Sequence, residues 1–155
     1  MKFKRAALLL SLPALLFICI CAQVKTVKKK SHHSSLAASV QRGKIVYKSI
    51  CLACHMADGL GVPHMNPTLS NTTYVLGDKK TLIKIVLNGF KEDVEINGQK
   101  YSNNMTPHSD LKDRQIADVL TFVRHSFGNK ASRVTEAEVK KVREANAIDH
   151  SGFKQ

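Results

Sequence analysis

Apolar residues recur at helical spacing in four stretches of this chain, and the segments between them carry turn residues rather than strand alternation. In the first, SVQRGKIVYKSI, Val40, Ile45 and Val46 give partial helical spacing, so a short helix is expected from near Ser39 into Cys51. Gly43 inside it costs roughly 1 kcal/mol relative to Ala, which points to close contact with another element or to simple tolerance. In the second, Leu82, Ile83, Ile85, Val86 and Leu87 follow Thr81 and stop at Asn88-Gly89, a short helix with a glycine end. The third is the strongest: Leu111, Ile116, Val119, Leu120, Phe122 and Val123 make an amphipathic stripe, with Asp110 as the expected cap and Gly128-Asn129 as the stop. The fourth opens with the capping box Thr135-Glu136-Ala137-Glu138 and turns Val139 and Val142 toward the core.

Between these stretches periodicity disappears. Residues 57–78 contain Gly59, Gly61, Pro63 and Pro67 with several Asn and Ser, and read as a long ordered loop that needs something to organise it. Residues 91–109 read as turns, with Asn97-Gly98 predicting a hairpin and Pro107 ruling out a continuous helix. No internal repeat is present. Helices joined by irregular loops make an all-α domain.

The N-terminus differs from all of this. Met1-Lys2-Phe3-Lys4-Arg5 precedes an apolar run from Ala6 to Ala22, the pattern of an export signal. The run sits at the short limit of the ~17–25 residues that cross a membrane, so an uncleaved anchor is the alternative. Ala22 as the last residue removed would leave Ile20 at a position that favours a small residue, and Cys19 and Cys21, either of which would mark a lipoprotein, each follow Ile. Residues 1–22 are therefore read as signal peptide or anchor, and 23–38 (QVKTVKKKSHHSSLAA) as a Lys/Ser-rich linker. The domain is placed at 39–148 and a flexible tail at 149–155. His32 and His33 read as a solvated pair in the linker, not as metal ligands.

Charge and composition narrow the function. The formal net charge of +12 is concentrated early, because residues 31–155 hold 17 Lys and Arg against 12 Asp and Glu. No aromatic-interleaved basic surface accompanies the basic arm, which argues against nucleic acid as a partner. A modestly basic domain suits acidic protein surfaces or anionic lipid. Only 6% of the residues are aromatic and none is Trp, a thin supply for one domain within 155 residues. A large apolar cofactor would make up the deficit.

Cys51-Leu52-Ala53-Cys54-His55 supplies that cofactor's signature, since C-x-x-C-H is the c-type haem attachment pattern. Two thiols at this spacing can each form a thioether to a porphyrin vinyl group, and the following imidazole becomes the proximal iron ligand. A zinc site wants further Cys or His at matching spacing, and the remaining cysteines are Cys19 and Cys21 in the apolar run. A thioredoxin-like dithiol wants a preceding strand, and none is predicted. The second axial donor must come from elsewhere. Met56 adjoins His55 and cannot reach the opposite face, and Met65 lies too near it in the chain. Met105, in an irregular segment fifty residues on, is the favoured donor, with His108 the alternative. His64, His125 and His150 read as surface residues.

These residues in this order resemble class I cytochromes c over about residues 40–145. Gly43 with Tyr47, CLACH, Pro67-Thr68-Leu69, the 81–88 helix, Tyr101 through Met105 and the 111–126 helix follow the family's order. DGLGVP at 58–63, NGQKY at 97–101 and LKDRQIADVLTFVRHSFGN at 111–129 are similar to single-haem cytochromes associated with periplasmic dehydrogenases and to domains fused to larger redox enzymes. The chain departs from the family at Met105-Thr106-Pro107, where Met-Pro is common, and at Tyr74 and Phe127, where Trp is common. The resemblance implies a fold of four to five short helices wrapped around one covalent haem c. It implies that Pro67 accepts a hydrogen bond from the His55 ring, that Tyr101 is a haem contact, and that Gly43 and Tyr47 pack against the 111–126 helix. It also implies an exported, monomeric electron carrier rather than an enzyme, cycling Fe(III) and Fe(II) with His55 and Met105 filling both axial positions. Redox proteins with acidic docking surfaces would be its partners, in the periplasm or tethered facing it. The alternative is a tethered haem relay within a larger redox complex.

Overall fold

The computed structural model describes residues 35–151, the last five by backbone alone. The expected signal or anchor at 1–22, most of the linker with His32 and His33, and residues 152–155 lie outside the described residues. Among the described residues no helix is long and apolar enough to cross a membrane.

Helix α1 spans Leu36–Val46, runs on as a π turn over Tyr47–Cys51 and ends in the short α2, Leu52–His55. It opens inside the stretch read as linker because the Ser35 hydroxyl accepts the Ala38 N–H at 3.2 Å, a cap the apolar pattern does not register. Gly43 and Tyr47 pack against the helix predicted at 111–126, as the resemblance implies, and only Ile45 departs from the expected apolar face. Ser39, Gly43 and Tyr47 are the buried positions, whereas Ile45 is 69% exposed. A Cβ on Gly43 would lie 2.0 Å from the Asp118 carbonyl oxygen and 2.7 Å from Phe122 Cβ, so the helices cross with backbone against backbone. That is the packing reason for a glycine at mid-helix. Asp118 faces the same crossing, accepting from Ser39 Oγ at 2.5 Å and from Arg42 Nε and Nη2 at 2.6 and 2.8 Å.

Helix α5, Asp113–Arg124, is the partner in that crossing and the centre of the fold. Every residue from Ile116 to Arg124 is buried, because α1 and the helices Thr73–Leu76, Lys79–Asn88 and Glu136–Ser151 each pack on part of its circumference. Its polar residues are therefore paired internally. Thr121 Oγ1 donates to Val134 O at 3.0 Å and accepts from Val134 N at 3.1 Å, and Arg124 donates to carbonyls of Val75, Gly77 and Ser132. The expected cap, Asp110, is not the cap. The helix begins three residues later, where Gln115 Oε1 accepts the Lys112 N–H at 3.0 Å.

Short α3, Thr73–Leu76, occurs within the segment read as loop, capped by the buried Thr72 hydroxyl accepting from Val75 N at 3.1 Å. Helix α4, Lys79–Asn88, starts two residues earlier than predicted because Asp78 accepts from Thr81 N at 2.8 Å. The Asn97-Gly98 hairpin is present: β1 Val94–Ile96 pairs antiparallel with β2 Gln99–Tyr101, with positive φ at both turn residues. Helix α6, Glu136–Ser151, forms with both halves of its predicted capping box and passes the expected domain end at 148. It packs on α4 and α5. The fold is all-α with one two-stranded ribbon. Tyr47, Phe122 and Phe127 meet with ring centroids 5.2–5.6 Å apart, tying the π turn to α5.

Candidate functional site

The π turn and α2 end at one wall of a cavity of about 390 Å³. Further walls come from α4, the hairpin, residues 103–108 and α5. Leucine, valine, isoleucine and aromatic side chains dominate the lining, with Asn66, Thr68, Asn103, Asn104 and Thr106 among its polar members. All six residues singled out from the sequence, Cys51, Cys54, His55, Pro67, Tyr101 and Met105, reach this one cavity, and His108 does too. Met56, Met65, His64 and His125 do not line it; the His125 ring is engaged with Thr121 O at 2.9 Å. The side chain of His150 is outside the description.

His55 is held from three directions. Its Nδ1 lies 3.0 Å from Pro67 O, a contact that requires the proton on Nδ1 and leaves the Nε2 lone pair available. Its own carbonyl accepts from Gly61 N at 3.2 Å, and the Tyr47 hydroxyl donates to the next carbonyl, Met56 O, at 2.7 Å. Burial lowers the His55 pKa below its ordinary value, partly offset by the Pro67 hydrogen bond, and His108 lowers it further. The lowered pKa favours the neutral imidazole, the state a metal donor needs. Burial, with the nearby Cys51 and Asp58, pushes the Tyr47 phenol well up, so it remains a donor. Cys51 is half-buried and its thiol is pushed up to about 11 by burial and by Cys54. A reactive dithiol needs the opposite shift, so the redox-dithiol reading loses ground.

The segment between His55 and α3 owes its order to side chains far along the chain. Asn129 Nδ2 donates to Leu69 O at 2.9 Å and Val123 O at 2.8 Å, while its Oδ1 accepts from Asn71 N at 2.8 Å. Ser70 Oγ donates to Phe127 O at 2.8 Å. In the sequence Asn129 reads only as part of a helix stop. Nothing in the sequence separates a buried, cross-linking Asn from an exposed turn Asn, and the same is true of the Tyr47 hydroxyl. Pro67 is placed against the His55 ring through this scaffold.

Met105 lines the same cavity from an irregular segment. Its N–H and C=O pair with Phe90 O and N at 2.8 and 3.1 Å, and His108 N donates to Val86 O at 2.8 Å. Gly89 makes this pairing possible: at φ +75° it lies so close to the segment that a Cβ would be 2.3 Å from Met105 O. Tyr101 is buried and its ring forms cavity wall, while its hydroxyl donates to Gln99 Oε1 at 2.8 Å. The residues fit a haem: apolar walls for a macrocycle, two free thiols on one rim, and an imidazole with its second nitrogen already committed.

Comparison with known proteins gives a concordant result. Residues 40–127 match the cytochrome c family. Cytochrome c-552 of Thermus thermophilus is 32% identical over 118 residues, covering 70% of this chain and 78% of the relative. The cytochrome c subunit of alcohol dehydrogenase (quinone) from Gluconacetobacter polyoxogenes is 34% identical over 122 residues, 72% of this chain and 24% of that subunit. The gluconate 2-dehydrogenase cytochrome c subunit of Pantoea cypripedii is 33% identical over 117 residues, 72% of this chain and 26% of that subunit. This chain thus spans about a quarter of the length of such dehydrogenase subunits. It belongs to the cytochrome c family, as a class I c-type cytochrome: an electron-transfer protein carrying covalent haem c.

Proposed function

We propose that this cytochrome binds its haem through Cys51 and Cys54, ligates the iron with His55 and Met105, and serves as an exported one-electron carrier, not an enzyme. The observation that carries this reading is the placement of His55 and Met105 in one apolar cavity, on segments each clamped by backbone hydrogen bonds. When bound, haem c supplies the one-electron Fe(III)/Fe(II) couple. Pro67 fixes the His55 ring and leaves Nε2 as its donor atom. The Met105 thioether is a soft donor that favours the reduced state. With both donors in place no open position remains for a substrate. The apolar lining from α4 and α5 excludes water, and Tyr101 contributes its ring to that lining.

Export rests on the basic Met1–Arg5 segment followed by the apolar run, and places the carrier in the periplasm or tethered facing it. The net positive charge of residues 31–155 favours redox partners with acidic docking surfaces. Relatives named as cytochrome c subunits of dehydrogenases favour a second reading, a tethered relay within one such complex. The oxidised protein should show the weak far-red sulfur-to-iron absorption, and Met105→Ala should abolish it; retention of the band removes Met105 as ligand. Membrane fractionation with sizing of the mature protein separates the two readings, since a soluble, freely exchanging monomer is incompatible with the relay.

A further inference from the structure

Helix α6 lies beyond the residues that match the family, and it touches the Met105 segment's supports on both sides. Arg143 donates from Nε to Asp113 Oδ1 at 2.7 Å, from Nη1 to Ser109 O at 2.8 Å and from Nη2 to Leu111 O at 2.6 Å. One guanidinium thus holds the stretch that follows His108 and enters α5. One turn further along the same face, Asn146 and Asn88 exchange two amide hydrogen bonds, at 3.1 and 2.7 Å. Asn88 is the last residue of α4. It is followed by Gly89, which abuts Met105 O, and by Phe90, whose backbone pairs with Met105.

We propose that α6 is a clamp on the sixth ligand, with Arg143 and Asn146 as positioning residues that hold both flanks of the Met105 segment. This rests on the reading of Met105 as ligand. The segment has no helix of its own to fix it, and its direct restraints are the Phe90 pair and the His108–Val86 bond. Fork donors to the Ser109 and Leu111 carbonyls are a contact that Lys cannot reproduce. Releasing either flank lets Met105 leave the iron more often, without removing any residue from the cavity.

The test uses oxidised full-length holoprotein titrated with imidazole, which competes with Met105, and follows loss of the far-red band. Arg143→Met should raise apparent imidazole affinity about tenfold and Asn146→Ala about threefold, matching the hydrogen bonds lost. Arg143→Lys should fall between Arg143→Met and the parent. Lys79→Met removes the 2.9 Å ion pair to Glu138 at the other end of α4. It should lower the thermal midpoint yet leave imidazole affinity within twofold of the parent. The clamp is overturned if Arg143→Met also stays within twofold, or if Lys79→Met shifts affinity as much as Arg143→Met. Should Arg143→Met fail to accumulate, Asn146→Ala decides: parental affinity overturns the proposal. Met105→Ala separates the two levels. If it keeps the band, the ligation reading fails; if it loses the band while Arg143 and Asn146 variants behave as parent, the clamp alone fails.

Discussion

The two sides of the cavity are built on opposite principles. On the His55 side, donor and thiols sit within five consecutive residues at the end of a helix, and the π turn and α2 deliver them together. On the Met105 side the proposed donor stands alone in an irregular segment, whose backbone pairs with Phe90 and Val86. A local motif determines its own geometry, whereas a lone residue takes its position from whatever surrounds it. The His55 side should therefore fail by losing the cofactor, and the Met105 side by losing one ligand while the cofactor stays.

The largest expected effect tests that contrast directly. His55→Ala should abolish most of the haem absorbance per mole of protein, because it removes the proposed proximal donor, the imidazole held by Pro67. Met105→Ala should keep the attached haem and open the sixth position, so that the reduced form binds carbon monoxide. Equal haem loss in both variants would erase the distinction.

Gly43→Ala comes next. Its Cβ would enter the Asp118 carbonyl and the Phe122 side chain, so the α1–α5 crossing must open, costing about 3 kcal/mol in denaturant unfolding. Tyr47→Phe is milder and confined to the His55 side. It leaves the Met56 carbonyl with only its 3.4 Å bond from Gly59 N and should cost about 1 kcal/mol while leaving the far-red band unchanged. If that band weakened as proposed for clamp release, the two sides would be coupled more tightly than their contacts suggest.

The smallest effect is one of pH on the α4–α6 side. Burial tends to raise the Glu138 pKa, but hydrogen bonds from Lys79 and Thr135 outweigh it and hold the carboxyl below its ordinary 4.5. A folded-state pKa below the unfolded one means the folded chain binds fewer protons. The stabilisation is therefore complete above about pH 4.5 and is lost as pH falls through the lowered value. Glu138→Gln should flatten that part of the acid limb in urea titrations.

Legibility followed the same divide. The Asn97-Gly98 hairpin, the Thr135 capping box and the stripes of α4 and α5 were readable, because turn chemistry, capping and periodicity act over a few residues. Boundaries were missed where a polar side chain capped a helix outside the apolar pattern, as at Ser35, Asp78 and Gln115. Asp110 looked like a cap and is not one.

The amino-acid sequence by itself determined the all-α class, the haem attachment pattern at Cys51–His55 and, through the family's motif order, an electron-transfer role. What only the tertiary structure decided is how Met105 and Pro67 are placed, and which distant residues hold them. Asn129 orders the loop that carries Pro67, and Arg143 bonds the carbonyls beyond His108. The physical reason is that backbone groups in an irregular segment must find partners wherever the fold brings them. That pairing is long-range, and no local pattern encodes it.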